Sequence, residues 1–229
     1  MPSIDRNATV AQIVTEHAVA ARVFQKHGID FCCRGGVTVA EACRDRAIEP
    51  ARVWADLEAL PDANGAATQD PRRLSTRALV DLIVERHHGY LRRALPFVVP
   101  LATKVADVHG EKNGKLAELR DVVAEIADAL DPHLDQEERV LFPALLSASP
   151  DADVIGRELR SMHADHLDVG TLLARMRALS DEFTTPEWGC RSYRILMSEL
   201  ETLEGDVLRH VHLENHVLMP RFAGVLEAG

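Results

Sequence analysis

Two copies of one pattern, His-x-x-x-Glu, constrain this chain more than any other feature in it. They are His133 with Glu137 and His210 with Glu214, and the register extends to the prolines that follow, since 210 − 133, 214 − 137 and 220 − 143 are all 77. On an α-helix, residues four apart stand one turn above each other on one face. Each pattern lies within an apolar seam. Leu119, Val123, Ile126 and Leu130 lead into His133, Glu137 and Val140, and Leu196, Leu200, Leu203 and Val207 lead into His210, Glu214 and Val217. Both seams step by four and three in turn, the stripe that a bundle helix buries. A carboxylate turned into such a seam is costly unless it is paired or binds a metal. A fixed period of this length points to a duplicated helical hairpin.

Two further long helices complete the pattern. Ser75 caps the first, whose stripe is Val80, Val84, His88, Leu91, Leu95 and Val98, with Pro96 and Pro100 expected to kink or split it. The second runs from about Lys115 to Leu146, with a bend expected at Pro132. The third carries Ile155, Leu159, Met162, His166, Val169, Leu173 and Met176, and the fourth runs from about Trp188 to Val217. Short connections make this an all-α, up-down-up-down four-helix bundle over residues 75–229. A small helical domain is predicted over residues 1–60. Its first helix runs from Thr9 to about Lys26 and stops at Gly28, a second runs from Thr38 to Ala47, and a third from Pro50 buries Val53, Trp54 and Leu57. Residues 61–74 are breaker-rich and read as a linker.

The net charge of −10, from 26 basic and 36 acidic residues, disfavours nucleic acid as a partner. No apolar run approaches the roughly 18 residues of a membrane span. The start, Met1-Pro2-Ser3-Ile4-Asp5, lacks a basic-then-apolar signal region, and the four cysteines suit a reducing compartment, so a cytoplasmic protein is expected.

Each bundle helix offers inward ligands: His88, His133 with Glu137, His166, and His210 with Glu214. Four imidazoles and two carboxylates suit two borderline metal ions. Two carboxylates can bridge two irons with two histidines at each end, leaving room for an oxo or hydroxo bridge and a small diatomic molecule. Zinc favours four ligands and has no redox chemistry; manganese is harder to exclude. His88 is preferred to His87, which shares a row with Leu79, Ile83 and Tyr90, and His166 is preferred to His163, which is off the stripe. His212 and His216 are expected at the surface, and His17 and His27 in structural or solvated positions. His109 stays open among ligand, gate and surface residue. Glu138 and Asp165 stay open among a hydrogen bond to a ligating imidazole, a proton relay and plain solvation.

Ahead of the bundle, the turn Gly28-Ile29-Asp30-Phe31-Cys32-Cys33-Arg34-Gly35-Gly36 carries adjacent thiols. This is not Cys-x-x-Cys, and neighbouring cysteines form only a strained, easily reduced disulfide. Thiolates near the start of the next helix would have lowered pKa values and bind soft metals; burial as packing cysteines is the alternative. Cys32 and Cys33 are thus the candidate reactive thiols, while Cys43 and Cys190 are expected to be core or incidental.

The turn and the bundle together resemble the iron–sulfur cluster repair di-iron proteins, also called Repair of Iron Centres or ScdA/YtfE-type proteins. Asp30-Phe31-Cys32-Cys33 is similar to that family's Asp-Tyr-Cys-Cys signature. The rest is similar to its hemerythrin-like bundle: His88 eight residues before Pro96, Lys104-Val105 then Val108-His109, His133 with Glu137, Asp165-His166, and His210 with Glu214-Asn215. The resemblance implies that His88, His133, His166 and His210 are terminal ligands and that Glu137 and Glu214 bridge two non-haem irons. It also implies a cytoplasmic protein, dimeric in similar cases, that restores iron–sulfur clusters damaged by nitrosative or oxidative stress. The implied means are iron delivery or reaction with NO; whether this is NO-reductase catalysis or reversible O2 or NO binding stays open. Two departures stand out. Arg34 replaces the glycine common after the cysteines, and Asp165 replaces the glutamate common before the third histidine.

Overall fold

Thr9 and Thr38 start their helices by the same device. Each hydroxyl accepts a bond from the backbone N–H three residues on, and the side chain there, Gln12 or Glu41, accepts one from the threonine N–H in return. These boxes open α1 (Val10–Glu16) and α3 (Val39–Asp45). The computed structural model describes residues 4–60 and 70–227, with side chains to residue 225, so most of the expected linker lies outside the described residues. Within them there is no strand, only an isolated bridge between Thr9 and Thr38.

The single helix expected up to Lys26 is two. The backbone breaks at His17 (φ −131°, ψ 81°), and α2 covers Ala20–Lys26. An unbroken helix would carry the row of Val10, Ile13 and Val14 on to the His17 imidazole. The break leaves that ring half-buried and returns Ala20, Val23 and Phe24 to the core. Gly28, at φ +61°, ends α2 in the left-handed region. In α4 (Pro50–Glu58), proline sits in the first turn and Val53, Trp54 and Leu57 are buried, as expected.

The thiol turn folds back onto the start of α1. The N–H groups of Val10 and Ala11 donate to the carbonyls of Val37 and Gly35, each at 2.9 Å. The approach is so close that a Cβ at Gly35 would lie 2.4 Å from the Phe31 carbonyl oxygen.

Two compact units make up the chain: Met1–Leu79 with Leu208–Glu227, and Val80–Val207. In the first, α1 packs against the turn at Glu214–Leu218, and Arg6 pairs with Glu58 while stacking over Trp54. Asp70 caps a single 3-10 turn, Pro71–Arg73, and Ser75 caps α5 (Thr76–Leu82). The second unit is built from α6 (Gly89–His109), α7 (Lys115–Gln136), the short α8 (Phe142–Leu145), α9 (Ala152–Leu179) and α10 (Arg191–Leu213) as far as Val207. Short connections join its long helices in the up-down-up-down manner. α6 packs on α7 and α7 on α9, over a core that includes Leu91, Val98, Ile126, Leu130, Leu159 and Leu173. Asp151 caps α9, whose expected stripe from Ile155 to Met176 is buried throughout.

The prolines do not split the helices. α6 runs unbroken through Pro96 and Pro100, and α7 through Pro132. All three rings are exposed, so the carbonyls that lose their N–H partners can turn to water. The helices are interrupted instead by three π turns, Ile83–His88, Glu137–Leu141 and Glu214–Leu218. A π turn holds one extra residue and slips the seam by one position. Ile83 and Leu141 are therefore buried where Val84 and Val140 were expected, and the latter two are half-buried.

The glycine contacts give a paired test. Gly35→Ala should destabilise the protein by about 1–3 kcal/mol through overpacking. Gly36→Ala, whose added Cβ meets nothing within 4 Å, should leave the urea unfolding midpoint nearly unchanged. Equal midpoints for the two variants would contradict the close approach.

Candidate metal centre

Glu137 is the middle of a buried polar group. It opens a π turn at the end of α7 and is 2% exposed. One of its oxygens, Oε2, lies 3.4 Å from His88 Nε2, and the other, Oε1, lies 3.3 Å from His133 Nε2. A single carboxylate thus presents each oxygen to a different imidazole. His166 joins from α9, its ring 5.0 Å from that of His133, and His133, Glu137 and His166 offer ligand atoms within 4.8 Å of one another. His88, His133 and His166 are all buried.

The outer ring nitrogens explain why the inner ones point this way. His88 Nδ1–H donates to Glu138 at 2.9 Å, and His133 Nδ1–H donates to Asp165 at 3.3 Å. With Nδ1 carrying the proton, Nε2 turns its lone pair inward, the arrangement in which an outer carboxylate orients a metal-ligating histidine. Both carboxylates left open by the sequence thus sit behind an imidazole, and Asp165 does so despite its shorter side chain. Burial pushes the Glu138 carboxyl up, but hydrogen bonds from His88 and Arg92 outweigh it and hold the group below its ordinary pKa. Arg92 is itself gripped by Glu138 at 3.1 Å and Asp135 at 2.8 Å. A cleft of 380 Å³ lined by His133, Gln136, Asp165 and Asp168 opens beside this corner.

The second His-x-x-x-Glu copy has the expected local form. His210 Nε2 is 2.9 Å from Glu214 Oε1, and both residues are 0% exposed. Glu214 opens a π turn, as Glu137 does. His87 is buried as well, but its Nδ1–H donates to Asp206 at 3.0 Å, a partner that the sequence row did not suggest. His163 is half-buried.

Two sequence expectations need correction. First, His212 and His216 are not surface residues. His212 is 3% exposed, donates from Nδ1 to the Phe31 carbonyl at 3.2 Å, and lies 3.0 Å from the Thr15 hydroxyl. His216 Nε2–H and the Asn215 amide both donate to the Cys32 carbonyl, at 2.8 and 3.1 Å. Burial first, and then His216, pull the His212 pKa down to about 4, against the Phe31 carbonyl, so the ring is neutral near pH 7. No local signal marks these contacts, because the partners are 181 to 197 residues apart. Second, the Cys32 thiol does not have the lowered pKa expected of it. The hydrogen bond with Cys33, burial and the Asp30 carboxylate raise its pKa well above the ordinary value. Asp30 Oδ1 accepts from the N–H groups of Cys32 and Cys33 and from the Cys32 thiol, and the two sulfurs stand 3.5 Å apart. Of the two alternatives left for Cys190, core or incidental, the structure excludes the core: the residue is exposed, with His109 Nε2 3.1 Å from its sulfur.

Comparison with known proteins places these features in context. The model of the Hemerythrin HHE cation binding domain matches residues 80–222, and that of ScdA_N, a domain of unknown function, matches residues 6–61. The chain is 33% identical to the iron-sulfur cluster repair protein ScdA of Staphylococcus haemolyticus over 222 residues, 96% of this chain and 100% of that protein. It is 32% identical to the iron-sulfur cluster repair protein YtfE of Edwardsiella ictaluri over 222 residues, 96% of this chain and 98% of that protein.

The support behind His88 can be probed directly. Glu138→Ala should weaken metal retention about 10- to 100-fold in competition with a chelator. Asp135→Ala, which removes a partner of Arg92 and of Arg139 but none of His88, should change it little. Equal retention by both variants would remove Glu138 from the site's support.

Proposed function

Since the chain belongs to the family of iron–sulfur cluster repair proteins built on a hemerythrin HHE cation-binding domain, we propose that it holds two iron ions and repairs iron–sulfur clusters damaged by nitrosative or oxidative stress. His88 and His210 would serve one ion, His133 and His166 the other, and Glu137 and Glu214 would bridge them. The observation that carries this reading is the placement of Glu137, each oxygen set against a different imidazole at 3.4 and 3.3 Å. The second half of the ligand set rests on the 77-residue register, on the matching π turns, and on a family match that takes in all six residues.

The donor set fits iron. Neutral imidazoles and carboxylates suit borderline divalent and trivalent ions, and the absence of thiolate among them argues against a structural zinc knot. When bound, a pair of irons with incomplete coordination supplies sites for a diatomic ligand such as NO or O2 and a store of metal for delivery. The chain's own part is to keep Nε2 of His88 and His133 turned inward, through Glu138 and Asp165, and to hold the carboxylates in an apolar seam. The cleft beside His133, with Asp165 and Asp168 at its edge, gives a cation a polar route outward. Damaged iron–sulfur proteins are the clients, the cytoplasm is the compartment, and a homodimer is the working assembly in this reading.

Anaerobic loading with ferrous iron should give two irons per chain, with an exchange-coupled pair by Mössbauer spectroscopy after oxidation. Glu137→Ala and Glu214→Ala should each lower the content to one iron or fewer. A single magnetically isolated iron in the wild type would overturn the two-ion reading. Separately, an iron–sulfur dehydratase inactivated by NO should recover activity with the loaded wild type and not with Glu137→Ala. NO added to the diferrous protein distinguishes turnover, seen as nitrous oxide beyond stoichiometry, from simple capture.

A further inference from the structure

The Cys190 thiol and the His109 imidazole stand apart from the proposed ligand set. Cys190 caps α10: its carbonyl accepts from the Arg194 N–H at 3.1 Å, and its sulfur accepts from the Tyr193 and Ser192 N–H groups at the open end of a 23-residue helix. His109 reaches it from the end of α6, with Nε2 3.1 Å from the sulfur. The imidazole is 8% exposed and wedged between aromatic rings, 5.6 Å from Trp188 and 5.8 Å, edge-on, from Tyr193. The Asn113 amide holds the Tyr193 hydroxyl at 3.1 Å. The base is therefore fixed, while the sulfur it faces is open to solvent.

We propose that Cys190 is a covalent-modification site, a nucleophilic thiol that forms a mixed disulfide with a low-molecular-weight disulfide, with His109 accepting its proton. Thiolate is the reactive form of cysteine, and a helix N-terminus and a neighbouring imidazolium both stabilise it. In the step, the Cys190 thiolate attacks one sulfur of the disulfide. A sulfur–sulfur bond forms to Cys190, the original one breaks, and the departing thiolate takes a proton from the His109 imidazolium or from water. Oxidation states balance, because the disulfide reagent is the oxidant. The charged groups near the pair in sequence are Arg191 and Arg194 on α10, Glu187 before it, Asp107 before His109, and Glu111 and Lys112 after it. Lys112 lies over the Trp188 ring at 5.7 Å. The hydrogen bond from His109 leads the effects that bring the thiol down to about 7, with the Tyr193 N–H next. The other cysteines do not compete: Cys32 and Cys43 are 2% and 0% exposed, and Cys33 is half-buried with its sulfur 3.5 Å from that of Cys32.

Alkylation by iodoacetamide, followed by peptide mass mapping across pH 5–10, tests this on the full chain. Cys190 should be labelled first, with half-maximal rate near pH 7. His109→Gln should move the midpoint toward the ordinary value of about 8.5 and slow labelling at pH 7 roughly fourfold, since the lost thiolate fraction is partly offset by higher intrinsic nucleophilicity. Incubation with oxidised glutathione should add one glutathionyl group at Cys190 and none to Cys190→Ser. A wild-type midpoint at or above pH 8.5, faster labelling of Cys33, or no glutathionyl adduct at Cys190 would each overturn the proposal. The wild-type profile decides even if His109→Gln fails to fold.

Discussion

A carboxylate buried in an apolar seam is the constraint on which the rest of this protein depends. Taking an ion out of water costs several kcal/mol even after relaxation, and the loss is recovered only where opposite charge and hydrogen bonds meet every lone pair. Glu137 sets each oxygen against the inward Nε2 of a different imidazole, lone pair facing lone pair, an arrangement that a cation held between them would satisfy. Those imidazoles are in turn oriented by Glu138 and Asp165, and Glu138 by Arg92. The order of the site therefore runs outward, from a buried centre to a partly exposed shell of charges. Each layer fixes the one inside it, and the helices supply the spacing.

Much of this was legible because helices bury side chains with a regular period. The His-x-x-x-Glu pairs, the stripe of α9 and the caps at Thr9, Thr38, Ser75 and Asp151 depend on residues within one or two turns of each other, so sequence distance stands in for spatial distance. Where the chain departs from an ideal α-helix, the reading slips. A seam drawn by fours and threes reached Val84 and Val140, because an extra residue in a π turn leaves no mark in composition. Pro96 and Pro100 were expected to kink or split α6, and it is not split, because a ring facing solvent removes a hydrogen bond that water can replace.

Contacts between distant segments were the least legible. Nothing in the order of residues shows that His212, Asn215 and His216 grasp the backbone of Phe31 and Cys32. These three flank Glu214, so the helix that offers a buried carboxylate on one side holds the paired thiols on another. Around the Cys32 sulfur itself stand a carboxylate, a neighbouring thiol and apolar packing, none of which favours a negative charge, so its pKa lies above the ordinary value. An activated thiol lies elsewhere, where a helix end and an imidazole meet.

The π turns have a consequence for how this protein can change over generations. Each sets the rotational phase of everything beyond it: losing one residue turns the following stretch by about 100° and carries Leu141 or Leu218 away from the interior. Insertions and deletions should therefore accumulate in the connections and be purged from the helices. Lineages that diverge widely in loop length would still count the same number of residues from each histidine to the proline that follows it.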